Sequence, residues 1–137
     1  MSVRLTTRLA AVLLMIAGVF AVPSTASAAT FVCGSSDING SFLFRACIDD
    51  TDQGQMWYEL QITNRSTISR SVTWNISYFT QSILFSCSGT RTTSIGAQQT
   101  AKYYCVGVKY IGRTYMNVSK VTVGSTTVHV ASPTLYF

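Results

Sequence analysis

The chain has 137 residues, of which 47% are hydrophobic and only 11% charged, and it carries a formal net charge of +5. That hydrophobic content excludes a disordered polymer, and the length leaves room for one domain and no second.

The chain opens with Arg4 and Arg8, followed by an apolar run from Leu9 to Val22 and the small-residue stretch Ala26-Ser27-Ala28. A basic start, an apolar middle and small residues before a cut are what an export signal requires. As a helix the 14-residue run would reach about 21 Å, short of a bilayer core of about 30 Å, so it predicts a removable leader rather than an anchor. The expectation is a signal peptide over 1–28, cut after Ala28 or, as the alternative, after Ala29. A single domain over 29–137 would then be extracellular, with no membrane anchor after cleavage.

Apolar residues then recur with period two. Phe42, Phe44, Ala46 and Ile48 share one strand face; Met56, Tyr58, Leu60 and Ile62 share another; Val72, Trp74, Ile76 and Tyr78 make the cleanest stripe. Ile83 to Cys87 reads as a short strand. Ala101 to Tyr110 is apolar on both parities, as a central strand would be. Tyr115 to Val123 changes parity near Ser119-Lys120, which predicts a bulge. Thr127 to Ala131 and Leu135 to Phe137 complete the set, with glycines between the runs. With no helical period anywhere, the pattern predicts an all-β antiparallel sandwich of seven or eight strands. Ser and Thr supply 29 of the 109 residues after position 28.

Cys33, Cys47, Cys87 and Cys105 are an even set in an exported small domain, which reads as two disulfides. Residues facing each other in a hairpin have a constant index sum. The midpoint of 33 and 47 is Gly40, and that of 87 and 105 is Gly96. Glycine tolerates the positive φ of hairpin turns, so local pairing, Cys33–Cys47 and Cys87–Cys105, is favoured. Thiols tied in this way leave no thiolate nucleophile.

Charge is uneven along the chain. Residues 29–59 hold five acids and one base, whereas residues 60–137 hold seven bases and no acid. Either the basic half forms a surface for anionic partners, or strands from the two halves interleave and neutralise each other, the expected outcome. The bases are scattered singly, which does not favour nucleic acid as a partner.

Few residues could carry chemistry. Asp49, Asp50 and Asp52 are the only carboxylate cluster, but they lack the spacing of a calcium loop and are expected to form a solvated turn, so no metal is predicted. His129, between two valines, is expected to point outward without an acid partner. No motif calls for a cofactor, and no enzyme is predicted. Trp57 alternates with the inward Tyr58, Leu60 and Ile62, so it should face outward with Gln61 and Thr63. There it could stack on a sugar ring, with Tyr103, Tyr104, Tyr110 and Tyr115 enlarging the aromatic surface. All four asparagines after position 28 (Asn39, Asn64, Asn75 and Asn117) are followed two places on by Ser, a glycosylation pattern expected to stay unmodified behind a bacterial-type leader.

Two resemblances add to this reading. Thr100-Ala101-Lys102-Tyr103-Tyr104-Cys105 resembles strand F of immunoglobulin domains, with Tyr two before Cys, and Trp57-Tyr58 lies near where such a domain has its core Trp. Gln99 stands where an Asp is usual, and no glycine-rich strand G follows. The resemblance implies a sandwich immunoglobulin-like in the broad sense, and it implies Cys47–Cys105 as a rival pairing. Leader, Ser/Thr-rich strands and four cysteines together are similar to small exported β-sandwich proteins of actinobacteria. That likeness implies a non-catalytic protein acting on an unknown extracellular ligand or protein. Two narrower readings stand beside it. One is a carbohydrate-binding module using Trp57 and nearby tyrosines. The other is an inhibitor of extracellular hydrolases that presents loop 89–99, clamped by Cys87–Cys105, with Arg91 as its anchor.

Overall fold

Alternating apolar residues in the chain become strands of two stacked antiparallel sheets. The computed structural model describes residues 30–50 and 54–137; the leader over 1–28 and Asp52 lie outside the described residues. The described residues form ten strands: β1 (Phe31–Ile38), β2 (Phe42–Asp49), β3 (Gln55–Asn64), β4 (Arg70–Thr80), β5 (Ile83–Ser86), β6 (Arg91–Ile95), β7 (Thr100–Val108), β8 (Thr114–Val123), β9 (Thr126–Ala131) and β10 (Leu135–Tyr136). Sheet A runs β1-β2-β3-β7. Sheet B is built on β4 and β8, with β5 and β6 in file along one edge and β9 and β10 along the other. The count exceeds the expected seven or eight because β1 and β6 carry no apolar stripe of their own.

The stripes fill the space between the sheets. Phe42, Phe44, Ala46 and Ile48 from β2 and Met56, Tyr58, Leu60 and Ile62 from β3 meet Val72, Trp74 and Ile76 from β4. Trp74, 5% exposed, is the core tryptophan and stacks on Tyr103 at 4.0 Å between centroids. Burying such side chains stabilises the fold by about 1.5–3 kcal/mol each. Ser and Thr line the outer faces. In sheet B, Thr92, Thr73, Thr122 and Thr127 stand abreast, with Oγ1 pairs at 2.9 and 2.8 Å across Thr73–Thr92 and Thr122–Thr127.

Both favoured disulfides are present, so the rival Cys47–Cys105 pairing does not occur. The hairpin argument holds for the first: Cys33 faces Cys47, and the turn carries Asn39 and Gly40 at φ 48° and 69°. It fails for the second. β6 pairs with β4 and β7 with β3, so Cys87–Cys105 joins the two sheets and Gly96 lies on a crossover. Positive φ there belongs to Gln98.

Two strand readings need correction. β7 is an edge strand, bonded among the described strands to β3 alone; its second apolar parity, Tyr104, Val106 and Val108, faces solvent. β8 has no bulge, since its register with β4 is unbroken from Thr73↔Thr122 to Thr80↔Tyr115. Its inward positions alternate Tyr115, Asn117, Ser119 and Val121, all buried. Polar residues at two inward sites imitate a change of parity.

Those polar residues tie the sheets together. Asn117 Nδ2 donates across the core to the carbonyls of Cys47 (2.8 Å) and Glu59 (2.9 Å), while its Oδ1 accepts from Ser119 Oγ at 3.0 Å. At the end of β3, Asn64 Nδ2 donates to the Ile68, Ile95 and Gly96 carbonyls, and its Oδ1 accepts from the Ser66 amide and hydroxyl. In Asn64-Arg65-Ser66 and Asn117-Val118-Ser119 the Asn-x-Ser spacing thus serves an internal bond from Ser to Asn. Neither asparagine is exposed.

The two long margins differ. β1 lies so close to β9 that a Cβ on Gly34 would overlap the Ala131 carbonyl. The β7 margin has no such cover among the described residues: no further strand pairs with it.

Candidate binding surface

On the outer face of sheet A, registers align residues into rungs. One rung reads Phe31, Asp49, Trp57, Val106; the next reads Cys33, Cys47, Glu59, Tyr104; a third reads Ser35, Arg45, Gln61, Lys102. Strand alternation turns Trp57, Gln61 and Thr63 outward, as the sequence predicts. Trp57 is 37% exposed and meets Tyr104, 52% exposed, edge to face at 6.5 Å. Val106 and Val108 extend this patch along β7.

Carboxylates lie within the aromatic patch. Glu59 is almost wholly buried, accepts from Gln61 Nε2 and pairs with Lys102 at 3.7 Å. Desolvation, and then the Glu59 charge and hydrogen bond, hold the Tyr104 phenol above its ordinary pKa. Beside Trp57, Asp49 keeps one buried oxygen, Oδ1, without a hydrogen-bond partner among the described residues. The face therefore combines aromatic area with fixed acceptors and one ammonium donor.

A groove lies at the open margin, between β5 and the end of β7. Tyr78, Thr80, Phe85, Val108, Tyr110 and Arg113 line it, around a cavity of about 360 Å³. Tyr58, Tyr78 and Phe85 stack in series from the core outward at 4.5 and 5.3 Å, and Arg113 lies over Tyr110 at 4.6 Å. Gly107 passes over this stack, where a Cβ would press on Tyr58 and Tyr78 at 3.1–3.3 Å. Burial, followed by neighbouring phenols, raises the pKa values of Tyr58 and Tyr78. The Tyr58 hydroxyl and Thr80 Oγ1 are buried without partners among the described residues.

The remaining candidates are dispersed. Asp50 bonds Lys109 at 2.6 Å, and Lys109 also covers Phe137; with Asp49 in β2 this is a strand end and an ion pair. Among the described residues no three metal-ligating side chains gather. His129 stands exposed on the outer face of sheet B opposite Lys120. Tyr103 is stacked on Trp74, Tyr115 is buried, and Tyr104 alone of the four named tyrosines meets Trp57. The segment 89–99 is not a projecting loop: Arg91–Ile95 is β6, bonded along β4, with exposed Arg91 at its first residue opposite Trp74. Ladder bonds hold its backbone flat, so the geometry expected of an inhibitory loop is missing.

Folding brings the two halves of the charge together in part: Asp37 pairs with Arg65 at 3.0 Å, Glu59 with Lys102 at 3.7 Å and Asp50 with Lys109 at 2.6 Å, each an acid of residues 29–59 with a base of residues 60–137. Described acids all lie in sheet A or directly after β2, whereas no strand of sheet B contains one. Of the bases in residues 60–137, only Lys102 lies on a strand of sheet A. Val106 and Val108 escaped the sequence reading. The signal for the valines was the apolar outer parity of β7, taken as a sign of burial.

Two disulfides fit an oxidising compartment. No helix among the described residues is long and apolar enough to cross a membrane. The chain matches no family model and no curated protein.

Proposed function

We propose that the protein is exported, sheds residues 1–28 and acts outside the cell by binding, with a polysaccharide as the ligand of the outer face of sheet A. One observation carries this reading: Trp57 and Tyr104 meet half-exposed on the outer face of sheet A beside Glu59, Gln61 and Lys102. Sugar rings offer apolar C–H faces to aromatic side chains and hydroxyls to carboxylate, amide and ammonium groups, and this face supplies all four. The leader supports export, and so does the likeness to exported actinobacterial sandwiches. Binding is favoured over turnover because all four cysteine sulfurs are tied up and His129 stands on a sheet that contains no acid.

The test is a pull-down with cellulose, chitin, xylan and cell-wall sacculi, using oxidised protein expressed from the full chain. At least one polymer should retain the protein, and Trp57→Ala should weaken retention at least about tenfold, the equivalent of about 1.4 kcal/mol. Retention by none of them refutes the ligand class. Equal retention of wild type and Trp57→Ala refutes the site.

A further inference from the structure

The open margin of sheet A carries a second message, written in its backbone. In an antiparallel pair, residues alternate between turning both N–H and C=O toward the partner strand and turning both away. The Asn64 amide donates to the Gln99 carbonyl, and the Lys109 amide to the Gly54 carbonyl. The β3–β7 register is unbroken between these points. Odd-numbered residues of β7 are therefore spent on β3. Thr100, Lys102, Tyr104, Val106 and Val108 turn their backbone groups to the free edge. Natural sheets blunt such edges with proline, bulges, repeated charge or a covering segment. β7 has no proline, no bulge and one charge, Lys102, already paired with Glu59.

Exposed apolar side chains gather at the same margin. β7 contributes Tyr104, Val106 and Val108, β5 contributes Leu84 and Phe85, and Ile111 is 91% exposed in the turn after β7. With Ile83 and Tyr110, and at roughly 150–250 Å² for a large side chain, their observed exposures offer about 800 Å². A standard protein interface takes about that area from each partner. The opposite margin, where β1 meets β9, shows no such concentration.

We infer that β7 is a dimerisation edge and that its occupant is the β7 of a second copy, joined antiparallel about a twofold axis at Tyr104. Several features favour a second copy. In a twofold antiparallel pair centred on residue 104, Thr100 meets Val108 of the second copy, Lys102 meets Val106, and Tyr104 meets Tyr104. All five free residues then find partners, and no other register uses all five. The same register keeps the two Lys102 ammoniums four residues apart along the strands, about 13 Å, beyond the Debye length of about 8 Å at physiological ionic strength. Sheet A becomes an eight-stranded sheet across the pair. Its middle rung reads Glu59, Tyr104, then Tyr104 and Glu59 of the second copy. The inference shares Tyr104 with the polysaccharide reading but does not rest on it, because the pairing is made by backbone groups of the edge and needs no sugar contact at Trp57.

Sedimentation equilibrium of the oxidised protein, from about 1 to about 200 µM, tests it, together with amide hydrogen exchange at both ends of that range. A monomer–dimer equilibrium should appear. The amides of Thr100, Lys102, Tyr104, Val106 and Val108 should gain protection as concentration rises, while their odd-numbered neighbours are already protected in the monomer. Val106→Pro removes a free-edge donor without touching the β3 ladder, and should raise the dimer dissociation constant at least tenfold. Monomer throughout the range overturns the inference and leaves the edge to a strand of another protein. A dimer in which the five amides exchange at monomer rates overturns it too. If Val106→Pro does not fold, the exchange pattern of the unsubstituted protein still decides.

Discussion

Asn117→Asp replaces one nitrogen by oxygen and should remove much of the protein's stability at neutral pH, yet little of it in acid. The Asn117 side chain is wholly buried, and its Nδ2 gives one hydrogen to the Cys47 carbonyl and one to the Glu59 carbonyl, at 2.8 and 2.9 Å. An ionised carboxylate there would set an unshielded oxygen against two carbonyl oxygens in a dry core, at a cost of several kcal/mol. The folded protein can avoid this by keeping the carboxyl protonated. A free aspartate titrates near 3.9, so holding its proton at pH 7 costs about 4 kcal/mol at 1.36 kcal/mol per unit. The protonated group donates one bond where the amide donated two, a further loss of about 1 kcal/mol. The expected destabilisation is about 5 kcal/mol at pH 7 and about 1 kcal/mol at pH 4.

The sign follows from proton linkage. The introduced carboxyl has its folded pKa raised above the unfolded value, so its stability is fully present below about pH 4 and is lost as pH rises toward the folded pKa. Urea unfolding at pH 4 and pH 7, followed by the fluorescence of Trp74 and Trp57, reads the effect after subtraction of the wild-type profile. With a urea slope of about 1–3 kcal/mol per molar, the 4 kcal/mol difference moves the midpoint by about 2 M. Asn117→Leu, with no proton to hold, should lose stability equally at both pH values. An Asn117→Asp protein within about 1 kcal/mol of wild type at pH 7 would falsify the cross-sheet bonding.

Tyr58→Phe should stabilise the fold by about 1 kcal/mol, because it deletes a buried hydroxyl that lacks a partner among the described residues; a loss of that size in thermal unfolding would show that the hydroxyl is bonded after all. The same variant should flatten the alkaline limb of stability. Burial raises the folded Tyr58 pKa above 10, so the folded state keeps a proton that the unfolded state releases, and stability falls above about pH 10 by up to 1.4 kcal/mol per pH unit for this one group. An alkaline limb unchanged in Tyr58→Phe would contradict this. At the β4–β5 turn, Gln81 and Ser82 sit at φ 49° and 65°. Gln81→Asn with Ser82→Gly supplies the residues that such a two-residue turn favours, and should raise stability by about 1 kcal/mol; a lower Tm would show that the side chains removed do more than close the turn.

Most strand faces were legible because their apolar residues sit two apart and are buried: the stripes of β2, β3 and β4 are the core. The misreadings share one cause. Periodicity reports which positions are apolar, and burial is inferred from that. On β8, Asn117 and Ser119 are polar and buried, and a continuous strand read as a bulged one. On β7, Val106 and Val108 are apolar and exposed, and an edge strand read as a central one. β6, Arg-Thr-Thr-Ser-Ile, has a single buried apolar residue, Ile95, and disappeared into a supposed loop, taking the inhibitor geometry of Arg91 with it. The Gln81-Ser82 turn was silent because neither residue is the Asn, Asp or Gly that a turn with two positive φ angles favours. At the candidate surface, Trp57 was legible from parity alone. Its meeting with Tyr104, and the burial of Glu59 between β2 and β7, depend on which strands become neighbours, and that is a property of topology.

The departures from local rule divide by place, and the division bears on function. Apolar packing between two sheets is nondirectional and leaves their relative position loosely set; a bond from an asparagine amide to a carbonyl is directional. Asn64 ties the end of β3 to the Ile95–Gly96 corner of sheet B, and Asn117 ties β8 to β2 and β3. Between them, Cys87–Cys105 clamps the β5 margin to β7. These three ties fix how sheet A lies over sheet B, and the disulfide does so at β7 itself. A bare edge that swung freely would pair with whatever strand it met. Held rigidly, with alternate residues already engaged on β3, it offers a fixed ladder and a fixed row of side chains. The buried polar groups of the core and the exposed apolar groups of the margin are thus two halves of one arrangement, in which the first holds the second in a single position.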